Sequence, residues 1–568
     1  MKKIIAIFLL VVAIHTRAQT TQRYDVLITE IFPDPSPSIA LPNAEFIELF
    51  NRSPNPISLQ QWKLSDGSST AIINTAFVLQ PDSFLIICAS SSLALFRPYG
   101  TVISVSNFPS LNNDGDQITL TDASGKLIHA IQYEEKWYQN PVKADGGWSL
   151  EMIDPNNPCS GASNWKASMD PSGGSPGKQN AVNGSNIDAA PPSLLHAYFT
   201  DSVTSLLVFD ESLDSTLSSK IELYDLDASI GKPVQAIPIG PLFREVKLKW
   251  SSPITRNRIY TLRCRALTDC SGNTITIRNE TKTGWAMPSD TGMIVINEIL
   301  FNPPSDGSDY VEVLNKSTNI IDLKDIYIAT KNGIGEVVSL QTASVQSRLI
   351  FPEDHYLLSE NVAWLPQRFS ITAPDRQLQT SSFPSLPDEN GILLLINTAG
   401  ILLDELHYEE KWHHPFISNR EAVSLERIDP HAPTQLPSNW TSAASSYTYG
   451  TPGYQNSQRL APVNNSGGNI TINPKVISPD QDGIDDRARI DYHFDLSDQS
   501  ATVRIYDMMG NRVRYLKPPH TIAATGYWLW DGLNDNGFRV PSGNYIVLTE
   551  LIHLSGRVKK YKNVVGVN

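Results

Sequence analysis

The residues with the most chemical content lie near the C-terminus, where Asp480, Asp482, Asp485 and Asp486 surround Gly483. Carboxylates spaced around a glycine turn can converge several oxygens on Ca²⁺, which takes about six to eight hard ligands. The spacing is not that of an EF-hand loop: counted from Asp480, glycine is fourth rather than sixth, and Asp491 stands in place of the closing glutamate. An acidic turn in solvent ahead of a strand is therefore the favoured reading, and Ca²⁺ at these aspartates is the one cofactor left open. A second cluster, His407, His413 and His414 with Glu409 and Glu410, has the side chains of a metal site. Its pentapeptide Tyr-Glu-Glu-Lys-Trp recurs at residues 133–137, where the corresponding neighbours are Gln132, Tyr138 and Gln139. The fold thus needs no metal there, and a solvated edge is expected. Glu134 with Glu135, or Glu409 with Glu410, cannot act as an acid and base on one bond, because adjacent strand residues point to opposite faces. Phosphate loops, H-E-x-x-H, G-x-S-x-G and paired C-x-x-C motifs are absent from the sequence, so no enzyme is expected.

The chain has four cysteines in 568 residues, too few for a disulfide-built scaffold. Cys264 and Cys270 are close enough in sequence to staple a hairpin edge, and this bond is expected, with two free thiols as the alternative. Whether Cys88 pairs with Cys159 stays open. Lys2 and Lys3 precede an apolar run over residues 4–14 and a small residue, Ala18, which reads as a signal peptide over residues 1–18. No later stretch is apolar enough to span a bilayer as a helix. The net charge of −14 and the lack of basic runs beyond Lys559-Lys560 argue against direct nucleic-acid binding.

The elements that must position these residues are organised by an internal duplication. Residues 28–35, 45–53, 107–111, 133–137, 149–155, 164–165 and 176–180 are answered in the same order by 296–303, 309–317, 382–386, 408–412, 424–430, 439–440 and 452–456. The offset is 264 at Glu48/Glu312 and a constant 275 from Phe108/Phe383 to Trp165/Trp440, so insertions fall in loops between fixed strands. Short β-branched and aromatic segments, such as 45–50, 117–120 and 127–133, alternate with Pro, Gly, Asn and Asp clusters and keep no helical period; the family resemblance given below adds a strand over 59–64. An all-β chain of tandem β-sandwich domains follows, and the same resemblance implies that they are immunoglobulin-like. Alternation places Ile131, Tyr133, Glu135 and Trp137 on the core face of one strand.

These landmarks resemble the lamin tail domain, an immunoglobulin-like sandwich, over residues 22–181 and again over 292–457. The resemblance rests on I-x-E-I (Glu30, Glu298), the strand around Glu48 and Glu312, Ser-Leu-Glu, Asn-Trp and Pro-Gly-x-Gln-Asn. It implies a binding and interaction module and no catalysis. Between polar linkers at 181–187 and 288–292, residues 188–288 look like a bacterial Ig-like spacer domain, carried by residues 208–214 and 267–273. After a third linker, 457–469, residues 470–568 resemble the C-terminal Ig-like domain of gliding-motility-associated and type IX-secreted proteins, itself similar to a flagellar hook-capping domain. That likeness, carried by a hairpin over 503–513 and by Trp530-Asp531-Gly532 before Asn536-Gly537, implies sorting or anchoring at the outer surface. The expected protein is secreted or held on the outer cell surface, without catalysis, adhering to an extracellular protein or polysaccharide. An accessory subunit of a secreted nuclease or phosphoesterase, and a plain structural spacer, are the alternatives.

Overall fold

The computed structural model describes residues 21–415, 417–459, 468–480, 485–494, 499–553 and 556–568. Its contacts separate two compact units: residues up to 197 with 204–252 and 261–281, and residues 198–203 and 253–260 with 282 onward. The chain is all-β, built of tandem immunoglobulin-like sandwiches, and among the described residues no helix is longer than four residues. The segment read as one middle domain is divided between the two units.

In the first copy a six-stranded sheet runs in the order Trp165–Ala167, Leu150–Met152, Val26–Phe32, Phe46–Asn51, Phe84–Ala89, Val102–Val105. It faces a four-stranded sheet of Leu127–Glu134, Gly115–Thr121, Lys63–Ser65 and Thr70–Ile72. The second copy repeats this arrangement: Trp440–Ser442, Leu425–Arg427, Ile294–Leu300, Tyr310–Asn315, His355–Ser359 and Gln377–Gln379, with Leu402–Glu409, Asn390–Asn397, Ile326–Lys331 and Val337–Thr342. The last pair in each large sheet is parallel in both copies, and both first strands carry a bulge one residue before the glutamate. The duplication read in the sequence is thus a duplication of topology.

The first strand shows why the large sheet has two buried faces. Every residue from Val26 to Phe32 is buried. Ile31, Ile47, Leu49, Leu150 and Met152 face the sandwich interior. Phe32, Phe46, Ile86 and Cys88 lie on the other face, covered by Phe96 and Leu41. A face covered on both sides reads as a continuous apolar run, and the glutamates embedded in it break that pattern.

Most of the repeated polar landmarks turn out to be locks on this framework. Asn51 Nδ2 donates to Asn55 O and Leu79 O while its Oδ1 accepts from Ser53; Asn315 makes the same bonds to Asn319 O, Ile350 O and Ser317. The Asn of each Asn-Trp pair clasps the loop before it, Asn164 to Asp154 and Asn439 to Asp429. Tyr133 and Tyr408 are core rings whose hydroxyls donate to Asn112 O (2.7 Å) and Pro387 O (2.9 Å). The alternation expected beyond Tyr133 fails: the strand ends at Glu134 and residues 135–138 form a 3₁₀ turn, so Glu135 is exposed while Trp137 returns to the core. Residues 59–64 likewise give a strand only from Lys63, because Gln61 turns with φ 63°.

The 181–187 stretch, expected as a linker, is pinned. Val182 is buried, and Asn186 donates its backbone N–H to Asp154 (2.9 Å) and its amide to Ser163 O. In the C-terminal domain the strands Asn469–Asn473, Ala488–His493 and Thr525–Trp530 form one sheet, and Val476–Ile477, Val558–Val567, Gly543–His553, Gln499–Asp507 and Arg512–Ile522 the other. The hairpin read over 503–513 is the pairing of the last two of these. The chain end closes this core: Val565 and Val567 are buried, and Val567 pairs with Gly543 on one side and Ile477 on the other. Shortening the chain by residues 564–568 is therefore expected to unfold the C-terminal sandwich, seen as loss of its cooperative unfolding transition in calorimetry.

Candidate functional site

Two groups of carboxylates stand out. The first is a row. Glu30 is the register partner of both Glu48 and Glu151, so three glutamates sit side by side across three neighbouring strands; Glu298, Glu312 and Glu426 repeat the row. All six are fully buried on the outer face of the large sheet. Their partners come from the segment that ends each copy. Ser175 donates its N–H to Glu30 (2.8 Å) and its hydroxyl to Glu151 (2.7 Å), Gly177 N–H donates to Glu48 (2.6 Å), and Val182 N–H to Glu151 (3.1 Å). In the second copy Thr451 bridges Glu298 (2.7 Å) and Glu426 (2.8 Å), Gly453 N–H donates to Glu312 (2.7 Å), and Ser457 and Gln458 reach Glu426. Asn180 and Asn456 finish the strap by donating to Thr29 O and Met152 O, and to Asn297 O and Arg427 O.

This is what Pro-Gly-x-Gln-Asn is for. The Gly177 backbone has φ +81°, and a Cβ there would lie 2.3 Å from Tyr99 O, so the residue that delivers its N–H to Glu48 must be glycine. Burial, and then the neighbouring carboxylates, push Glu30 and Glu312 well above the usual carboxylate range. Glu48 and Glu426 rise to about 8, mainly through burial, against the hydrogen bonds they accept. The row is a fastening, not an acid and base aimed at a substrate.

The second group was not read as a site in the sequence. One oxygen from each of Asp188, Glu211 and Asp269 lies within 4.8 Å of the others, the one such trio among the described residues. Asp269 is buried and accepts from Asn273 N–H and Nδ2 (both 2.8 Å); Asp188 accepts from Ser160 Oγ (2.9 Å). Burial, and then the charges of Asp269, Asp188 and Asp210, raise Glu211 to about 8, with Arg244 acting in the opposite direction. Hard-cation ligation is the chemistry such oxygens offer.

The trio adjoins a disulfide between Cys159 and Cys270, whose Cα atoms are 6.4 Å apart. The expected Cys264–Cys270 bond is not formed. Tyr260, Leu262 and Cys264 alternate into the core, so Cys264 is buried with a thiol that burial holds well above its ordinary range, while Cys270 lies on the following loop facing residues 157–160. Cys88 is also a buried free thiol, raised by burial to about 11, so Cys88 does not pair with Cys159. Around the bond, Ser271 Oγ donates to Asn157 Oδ1 (3.2 Å), Asn273 Nδ2 to Asp188 O (3.2 Å), and the Arg23 guanidinium lies over the Tyr24 and Phe243 rings. The sequence signal was present only as two separate motifs, residues 208–214 and 267–273; nothing in their spacing joins them to Asp188 or Cys159.

The residues singled out in the sequence come apart. Asp482 lies outside the described residues. Asp480 accepts from Ser478 Oγ (3.2 Å) and Asp485 turns with φ 55°; neither they nor Asp486 belong to the trio. His407 is exposed against Glu405 (2.6 Å). His413 and His414, expected on a solvated edge, are buried: the His413 ring packs on Phe301 and shares Ser442 Oγ with the His414 N–H, and burial lowers His413 to about 3. The edge is roofed by the Trp440–Ser442 strand, which alternation alone did not place there.

Residues 19–135 match the model of the Lamin Tail Domain family, about a fifth of the chain. No curated protein sequence matches the chain. Among solved structures, the N-terminal part of the bacterial S-layer protein SbsC is 11% identical, covering 39% of this chain and 44% of that one, TM-score 0.16. A tetra-tandem repeat from the extending region of a large adhesion protein is 9% identical, covering 96% and 99%, TM-score 0.14. A Ca²⁺-stabilized adhesin of an Antarctic bacterium is 8% identical, covering 97% and 100%, TM-score 0.13. The chain thus spans less than half of the S-layer fragment. No helix among the described residues is long and apolar enough to cross a membrane.

The carboxylate rows make stability depend on pH. A carboxyl whose pKa is higher folded than unfolded favours folding while it keeps its proton, and that contribution is lost as pH climbs from the ordinary 4.5 through about 8. The buried His413 and His355, lowered to about 3, act oppositely and only below their ordinary 6.5. The urea midpoint is therefore expected to fall between pH 6.5 and 8, with a flatter slope in Glu48→Gln and Glu426→Gln; an equal slope in all three proteins would count against the row as its source. Cys159→Ser is expected to cost about 2–4 kcal/mol in denaturant titration, and Cys264→Ser to leave the disulfide in place by non-reducing peptide mapping.

Proposed function

We propose that this is a secreted or outer-surface protein without catalysis, in which two lamin-tail-like sandwiches, a spacer sandwich and a C-terminal sandwich present loops to an extracellular protein or polysaccharide. The observation that carries this reading is the fate of the shared carboxylates. The acids that recur in both copies are consumed by backbone N–H groups and hydroxyls of the same chain, so what the duplication preserves is a rigid framework. The Cys159–Cys270 bond supports the reading in two ways: it ties the first sandwich to the spacer, and it belongs to an oxidising compartment. Signal-peptide cleavage after residue 18 and a sorting or anchoring role for residues 470–568 belong to the same proposal.

Ca²⁺ enters it at Asp188, Glu211 and Asp269, as a brace beside the disulfide rather than a catalyst. The mature chain is then expected to melt at higher temperature in CaCl₂ than in EGTA, and Glu211→Gln to remove the difference; no difference in the parent ends this part of the reading.

The deciding experiment is fractionation of native cells carrying the full chain or a chain ending at residue 469. The full chain is expected in the medium or on the surface, accessible to added protease, and the shortened one in the periplasm or free in the medium. A protease-shielded, cytoplasmic full chain would overturn the proposal, as would hydrolysis of phosphodiester, glycosidic or peptide bonds that a single substitution abolishes.

A further inference from the structure

We infer that the first lamin-tail-like copy binds a neutral oligosaccharide in a groove on the outer face of its large sheet, an inference that rests on the surface reading above and names its ligand. The groove holds about 650 Å³ beside the closing strap. Phe50 and Phe84 are register partners on adjacent strands, half-buried, with ring centroids 4.7 Å apart and planes at 28°, giving a paired aromatic patch. Exposed Asp82, Asn156, Gln179 and Asn183 also line it.

Two charged side chains nearby are held in place by neutral backbone groups. Arg52 donates to Tyr24 O (3.0 Å) and Pro155 O (3.1 Å), and the two Asp154 oxygens accept from the N–H groups of Asn156 and Asn186 (both 2.9 Å). What faces a ligand is a pair of apolar rings with three amides, one exposed carboxylate and the edge of the Arg52 guanidinium. Rings offer a flat face to the C–H side of a pyranose, and amides donate to and accept from neighbouring hydroxyls. An anionic polymer meets two carboxylates, Asp82 and Asp154, against the single Arg52 cation, so the groove is negative on balance. Strand addition by an extended peptide is unavailable, because Phe46–Asn51 and Phe84–Ala89 each have strand neighbours on both sides.

The second copy supplies the control. At the same register stand Leu314 and His355, both buried. Glu353 donates its N–H to Asn315 O as Asp82 does to Asn51 O, and its carboxylate is paired with Arg459 at 2.8 Å, the residue that follows Asn456 by the spacing with which Asn183 follows Asn180. The duplicated framework therefore tolerates a closed version of this place, and the first copy keeps it open.

The test uses the mature full chain, titrated calorimetrically with neutral oligosaccharides of glucose, mannose, xylose and N-acetylglucosamine, with heparin fragments and a proline-rich peptide alongside. At least one neutral oligosaccharide is expected to bind. Phe84→His and Phe50→Leu, which install the residues of the second copy, and Gln179→Ala are each expected to weaken binding about tenfold or more, while an unchanged melting temperature shows that the variants fold. Binding by none of the neutral sugars, binding unaffected by these variants, or preference for heparin or the peptide would overturn the inference. If the parent and the Phe50→Leu/Phe84→His chain are both displayed on the cell and adhere equally, the groove is wrong and the surface reading stands; if neither is exported, the surface reading itself fails.

Discussion

Everything in the two large sandwiches hangs on a row of three glutamates buried side by side. Carboxylates in an apolar sheet face are costly unless each oxygen is hydrogen-bonded or the group keeps its proton. The chain meets that demand with its own continuation: a strap whose serine or threonine, glycine and asparagine reach Glu30, Glu48 and Glu151 and the backbone beside them. The strap in turn closes the outer face of the large sheet, burying Ser175, Asn180 and Val182 against the strands while Lys178, Gln179 and Ala181 stay exposed. One oxygen of the row, Glu30 Oε2, has no partner, in keeping with a carboxyl that burial pushes toward its protonated form; a polar row this nearly satisfied fixes register, since a one-residue slip would place each glutamate against the sandwich interior.

Comparing the copies shows which chemistry the fold requires and which it leaves free. The same backbone N–H before the bulge is satisfied by the His129 ring at Ile28 and by the Asp404 carboxylate at Ile296, both at 2.9 Å. Where the second copy builds a buried network of Arg427, Asp404 and Thr434, the first places Met152, His129 and Cys159. That exchange turns Cys159 outward from the lattice of internal bonds and gives it to a partner in the next module.

The fold was largely legible. Repeated landmarks and short alternating segments gave the sandwich class, the duplication and most strands, because apolar periodicity and turn residues act locally. The meaning of the landmark glutamates was not legible: a row across three strands depends on register between segments more than a hundred residues apart. Separation in sequence likewise hid the Asp188, Glu211 and Asp269 trio, spread over 81 residues, and misdirected Cys270 toward the nearest cysteine. His413 and His414 were misread for a related reason, since what covers an edge is decided by a strand that arrives later in the chain.

The disulfide passes over nearer thiols. Cys159 precedes Cys270 by 111 residues, with Cys264 between them and Cys88 ahead of both. Cys88 and Cys264 are each closer to Cys159 along the chain than its partner is. The strand Tyr260–Cys264 resolves this competition by drawing Cys264 into the core, which removes it from exchange. Cys88 is buried in the first sandwich in the same way, so the two thiols left to meet are those that the strands do not enclose.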